Sequence, residues 1–167
     1  MRCFALLALA CAALLDTSSA LVEVGTVTTV DVWANAWDER DSGDGCSPDG
    51  CLPSLVRDGS TAANSRWSCN YELEDEDCKL CLTFGAYKDI KYIGVAFHKG
   101  NERKRSFYVN LYGRYGDDEF SFKSSGKTLD YENFYLYSED TNEMCITAKD
   151  LKDSDWLSIT EVKVWVE

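Results

Sequence analysis

Apolar and polar residues along this chain alternate with a period of two far more often than with the helical period of about 3.6 residues. In residues 79–84, Leu80, Leu82 and Phe84 share one face, and in 106–112 Phe107, Val109 and Leu111 do the same. The β-branched run 26–33 predicts another strand, and further strands are expected at 92–98, 119–123, 133–137, 143–148 and 159–166. Residues 52–57 are the one candidate for a short helical turn. Short strands joined by glycine-containing connections predict an all-β chain folded as a β-sandwich of jelly-roll type. The polar stretch 34–53 is long for a connection, so it is expected to be either stapled or functional.

The ends of the chain change this picture first. Arg2, the apolar run 4–15 and the small residues Ser18, Ser19 and Ala20 read as a secretory signal, residues 1–20, that leaves a single domain at 21–167. No later segment approaches about 18 consecutive apolar residues, so no membrane span is expected and the product is read as secreted, extracellular and soluble. Of the eight cysteines, Cys3 and Cys11 lie in the signal, leaving Cys46, Cys51, Cys69, Cys78, Cys81 and Cys145. Six cysteines in an exported chain predict a disulfide-stapled fold, and roughly 15 pairings are open. Cys46 and Cys51 flank a Pro-Asp-Gly turn and can close a small local loop. The Cys78-Lys79-Leu80-Cys81 spacing also fits half of a redox or zinc site, but His98 is the only histidine, which disfavours a tetrahedral zinc centre.

A net charge of -12 argues against nucleic acid or an anionic membrane as a partner. The exception is local: between His98 and Arg105, Lys99, Arg103, Lys104 and Arg105 outnumber Glu102. Catalysis finds little support, because there is no nucleophile motif, no glycine-rich phosphate loop and no metal cluster with an open position. Acidic runs such as 74–77 and Asp117-Asp118 read as solvated faces. The chain is therefore expected not to be an enzyme.

The stretch Asp58-Gly59-Ser60-Thr61-Ala62-Ala63-Asn64-Ser65-Arg66-Trp67-Ser68 is a polar loop ending on a tryptophan. Asp58 offers a carboxylate, Ser60 and Ser65 offer hydroxyl and backbone oxygens, and Gly59 permits a tight turn, a combination suited to Ca²⁺ with its 6–8 oxygen ligands. A turn held by Asx and serine hydrogen bonds is the plainer alternative.

This loop, then the strand from Leu80 to Gly85, Ile93-Gly94-Val95-Ala96-Phe97-His98-Lys99-Gly100-Asn101-Glu102-Arg103, Phe107-Tyr108-Val109 and Asp155-Trp156-Leu157-Ser158-Ile159-Thr160-Glu161-Val162 follow in a characteristic order. The order resembles the discoidin, or coagulation factor five/eight type C, superfamily. Within it the chain is most similar to the galactose-binding-like carbohydrate-binding modules appended to polysaccharide lyases. The resemblance covers roughly residues 30–166 and implies a galactose-binding-domain-like jelly roll with a structural Ca²⁺. Carried over position by position, the ligands would be the Arg57 carbonyl, the Asp58 carboxylate, the Ser60 carbonyl, the Ser65 hydroxyl and carbonyl, the Thr160 carbonyl and the Glu161 carboxylate. Two departures stand out: Lys79 and Cys81 take outward positions early in the Leu80 strand, and the segment between Trp37 and Pro53 is longer and richer in cysteine than usual.

A carbohydrate site needs aromatic faces for the C–H face of a pyranose and planar polar groups for its hydroxyls. Trp37 with Asp38, Trp156 and Tyr115 lie in polar stretches and are candidates, although loop aromatics also serve as partial core plugs. Lys99, Arg103 and Arg105 suit the carboxylates or sulfates of an acidic polysaccharide. Arg103 and Arg105 share strand parity with Phe107; the inward and outward placements of Arg103 stay open, while Lys99 and Arg105 are expected on the surface. The function expected is that of a lectin-like module for extracellular or cell-wall polysaccharide or glycoconjugate. The alternative is an extracellular adhesion or assembly protein that binds protein partners through the same fold.

Overall fold

The structure, a computed structural model, describes residues 21–24, 30–37, 46, 50–70, 78–149 and 156–167. The expected signal peptide, the first four residues of the strand expected at 26–33, Asp38 and the acidic run 74–77 lie outside the described residues. No helix among the described residues is long and apolar enough to cross a membrane.

The described strands are β1 (Val22–Glu23), β2 (Val30–Ala34), β3 (Trp67–Asn70), β4 (Lys79–Phe97), β5 (Ser106–Gly113), β6 (Gly116–Lys123), β7 (Glu132–Ala148) and β8 (Trp156–Val166). The helical turn expected at 52–57 is a 3₁₀ turn, Pro53–Arg57, started by a proline whose missing N–H costs nothing at a first helical position. All strand pairs are antiparallel, in the order β1-β8-β4-β7-β5-β6, with β2 also on β4 and β3 also on β8. This is the expected jelly-roll sandwich.

Two long strands make both layers. The strands expected separately at 79–84 and 92–98 are one element, and so are those at 133–137 and 143–148. The first half of β4 pairs with β2 and with the end of β7, whereas its second half pairs with β8 and with the start of β7. Register shifts between Thr83 and Tyr92 bend the strand from one layer into the other. Alternation of exposed and buried residues breaks at the same place, with Gly85, Ala86 and Tyr87 all exposed. Leu80, Leu82 and Phe84 enter the core before the bend and Ile93, Val95 and Phe97 after it, so the inward parity changes across the bulges.

The layers meet through aromatic contacts. Phe107 of β5 lies 5.4 Å from Phe97 and 5.0 Å from Phe134, centroid to centroid. Trp67, fully buried, closes the core beneath β3, and its Nε1 donates to the Ala36 carbonyl at 2.9 Å. The cysteines pair as Cys46–Cys51, Cys69–Cys78 and Cys81–Cys145. Cys78 and Cys81 thus face different partners, because positions three apart along an extended chain have opposite parity and leave it on opposite sides. Cys81–Cys145 ties directly opposed residues of β4 and β7. It spans 64 residues of sequence, and losing such a crosslink costs about 2–5 kcal/mol.

Candidate functional site

β8 pairs with β3 on one side and with the second half of β4 on the other, and this brings distant residues together. Leu157 and Ile159 enter the core, so Trp156, Ser158 and Thr160 turn to the other face of the strand, where Trp156 is half-buried and Ser158 and Thr160 are covered. Ser158 lies opposite Ser68, and its carbonyl accepts the His98 N–H at 3.1 Å. Ser68 Oγ donates to Ser158 Oγ at 2.8 Å, and Arg66 Nε donates to Ser68 Oγ at 3.1 Å. Arg66 also donates to the Ala63 carbonyl and is only 5% exposed, so its guanidinium is held just under the surface.

After Phe97 the chain turns sharply. Gly100 N–H donates to the Phe97 carbonyl, and the N–H groups of Glu102 and Arg103 both donate to the Lys99 carbonyl, each at 3.0 Å. Lys99 has φ 54°, in the left-handed region that side chains rarely adopt. A Cβ on Gly100 would lie 2.5 Å from the Thr128 carbonyl oxygen, so the loop after β6 packs directly against this turn. The turn presents Lys99 exposed and Arg103 half-buried.

These elements surround His98 with charge. Burial first, then the cations of Arg66, Lys99, Arg103 and Arg105, push its pKa down from 6.5 to about 4. His98 is therefore neutral at neutral pH and offers one ring N–H donor and one acceptor. A neutral imidazole ringed by fixed cations can read a hydroxyl while the cations take an anionic group. The half-buried Trp156, opposite Asn70, stands two residues from Ser158 on the same face.

Several expected site residues fall elsewhere. Arg105, expected on the surface, is 2% exposed: it shares the inward parity of Phe107, and its Nη1 donates to the Lys104 carbonyl at 3.2 Å. Its backbone exchanges hydrogen bonds with Ser124, at 2.7 and 2.8 Å, so it acts on the site as a charge from beneath. Trp156 belongs to a strand and not to a loop. Trp37 is exposed and follows Ala36, whose carbonyl is held by Trp67 at the start of β3. Tyr115 follows β5 while Lys99 to Arg105 precede it, and the eight residues of that strand separate the two by roughly 25 Å at about 3.3 Å per residue. Tyr115 therefore takes no part in the same site. Arg66, Ser68, His98 and Ser158 were not singled out from sequence, although an inward Trp67 already implies an outward Arg66 and Ser68.

The loop expected to hold a cation lies next to this cluster. Asp58 Oδ1 accepts the Ser60 N–H at 2.8 Å and Oδ2 accepts the Ser65 hydroxyl. Gly59, at φ +82°, donates its N–H to Glu161 Oε2 at 2.9 Å, which ties the loop to β8. Arg57 spreads over the Val162 and Val24 carbonyls, each at 2.8 Å. Thr160 is buried, with its hydroxyl donating to the Ala96 carbonyl at 3.1 Å. Glu161 is 3% exposed. Its burial, together with the charge of Asp58, pushes its pKa up to about 7 despite the Gly59 N–H and the nearby Arg57 and Lys163. A buried carboxylate beside a second one, in a set of oxygen donors, fits a hard divalent cation, and the residues present are compatible with Ca²⁺.

No protein-family profile matches the chain, and neither does any curated protein. Solved structures do. Truncated AlyQ with CBM32 and alginate lyase domains superposes with a TM-score of 0.68 at 23% identity over 87% of this chain and 33% of that one. This chain thus spans about a third of that two-domain protein. The CBM32 of AlyQ in complex with 4,5-unsaturated mannuronic acid matches with a TM-score of 0.64 at 26% identity, over 80% of this chain and 92% of the module. A pectin-binding carbohydrate-binding module matches with a TM-score of 0.64 at 16% identity, covering 82% and 91%. The F5/8 type C domain of a Bacteroides fragilis protein matches with a TM-score of 0.65 at 12% identity, covering 87% and 95%. The chain has the fold of the discoidin-like carbohydrate-binding modules, and the resemblance seen in its motifs holds over most of its length.

Proposed function

We propose that the protein is a secreted carbohydrate-binding module that recognises an acidic extracellular or cell-wall polysaccharide without transforming it. The observation that carries this reading is the cluster of Lys99, Arg103, Arg66 and neutral His98 at one end of an otherwise acidic sandwich. Lys99 and Arg103 are the groups placed to meet carboxylates, His98 to read a hydroxyl, and Trp156 to supply an apolar surface. Two similar structures support the choice of an acidic glycan, one holding an unsaturated mannuronic acid and one described as pectin-binding. We assign Ca²⁺ a structural role between the Asp58 loop and β8, with Asp58 and Glu161 as its carboxylates and the oxygens of Arg57, Ser60, Ser65 and Thr160 as the remaining candidates.

Affinity electrophoresis in gels containing alginate, pectate, a sulfated polymer or a neutral glucan tests the reading. Retardation by the uronate polymers in the presence of Ca²⁺, with no release of reducing ends, is expected. Equal mobility in all four gels would reject it.

A further inference from the structure

The opposite end of the sandwich carries a different surface. The β5–β6 hairpin and the bend of β7 enclose a cleft of about 400 Å³ lined by Tyr115, Asp117, Asp118, Tyr137, Ser138 and Glu139 among others. Among the described residues that line it, none is basic. Gly113 pairs with Gly116, so Arg114 and Tyr115 form a two-residue turn that holds Tyr115 out at the rim, 78% exposed.

The polar groups of the cleft are anchored. Asp118 Oδ2 accepts the hydroxyl of buried Ser138 at 2.9 Å, and that hydroxyl lies 2.8 Å from buried Thr141 Oγ1. Tyr137 donates its phenol proton to Glu139. Carboxylates beside phenol faces attract cations both by charge and by the ring quadrupole.

The chain's own cations already use this combination around the cleft. Arg114 places its guanidinium carbon 4.5 Å from the Tyr87 ring centre, with Nη1 at 3.9 Å from Asp140 Oδ2. Lys91 Nζ sits 4.6 Å from the Tyr137 ring centre. Tyr115, itself hydrogen-bonded to Arg114, keeps its ring exposed at a cleft where Asp117 and Glu139 offer carboxylates to a cation from outside.

We propose that this cleft binds a positively charged side chain of a protein partner, arginine in preference to lysine. A guanidinium can lie on a tyrosine ring and bridge a carboxylate at once, as Arg114 does with Tyr87 and Asp140. An acidic polysaccharide is repelled here, so the cleft and the basic end take different ligands and the two proposals fail separately.

Titration with a tri-arginine peptide at low salt, followed by backbone amide NMR shifts, tests the assignment. Shifts concentrated at residues 115–118 and 137–139 are expected, with binding at least tenfold weaker in Tyr115→Ala/Asp117→Asn and in Glu139→Gln. Glycan retention and Tm should stay unchanged in both variants, since these side chains lie at the surface. Shifts spread evenly over the acidic surface, or variants that bind like the wild type, would overturn the proposal. Spermidine is the free-amine arm: weaker binding than the peptide is expected, and equal binding would overturn the assignment to a protein side chain.

Discussion

The two ends of this sandwich differ in sign and in the way their charges are held. At the basic end, Arg66 and Arg105 are buried and act through the sheet, while a turn strained at Lys99 carries the exposed charge. At the acidic end, the carboxylates and tyrosines stand in the open, supported by single hydrogen bonds from Ser138 and Tyr137. A net charge of -12 describes only the second of them. Average charge argues against nucleic acid as a general partner, but it is silent about a local field set by four cations around one imidazole.

The comparison can be broken most severely at the two cations of the turn after β4. Lys99→Ala combined with Arg103→Ala should weaken binding to a uronate polymer by about a hundredfold, on the order of 3 kcal/mol for two charge-assisted contacts. Its Tm should be nearly unchanged, and tri-arginine binding at the other end unaffected; calorimetric titration of both ligands reads the difference.

Calcium tests whether the basic end rests on the Asp58 loop. Ca²⁺ at a hundred times its Kd should stabilise the fold by about 2.7 kcal/mol, raising Tm by roughly 5–10 °C for a chain of this size. EGTA should reverse the shift, and Glu161→Gln should abolish it; thermal melts with and without Ca²⁺ provide the check. A Tm indifferent to Ca²⁺ would remove the structural cation from the account.

Gly100→Val forces a side chain against the Thr128 carbonyl, 2.5 Å from the Cβ position. A loss of about 2 kcal/mol in urea unfolding is expected from this overpacking, along with weakened glycan binding and intact tri-arginine binding. Were both ends to lose affinity together, they would not be separate sites.

The smallest effect concerns pH. His98 titrates near 4 in the fold and near 6.5 when unfolded, so the unfolded chain takes up its proton first as pH falls. Its contribution to stability is fully present above pH 6.5 and is lost between there and pH 4. His98→Gln should remove that fall, so the wild-type and variant stability–pH curves should diverge between pH 6.5 and pH 4. Parallel curves for wild type and variant would show that the histidine is not desolvated.

Much of the fold was legible in the chain because strand alternation is a local signal. Leu80, Leu82 and Phe84, and likewise Phe107, Val109 and Leu111, point where their parity says. The same rule applied to Arg105 would have turned it inward with Phe107; expecting a charged side chain at the surface overrode it. Trp156 was misplaced for a related reason, since the polar residues before it read as a loop while its pairing with Asn70 is a long-range contact. The continuity of β4 and β7 through their bends was not legible, because bulges interrupt the alternation on which the reading of separate strands relied.

By itself the sequence determined the strand faces, the need for disulfides and the local basic turn, since each depends on neighbours along the chain. Which cysteines pair, which arginines stay outside, and that Arg66, His98 and Ser158 converge while Tyr115 joins an acidic cleft at the other end were decided by tertiary structure. Those outcomes depend on strand register and on the bends of β4 and β7, which bring together residues that no local pattern relates.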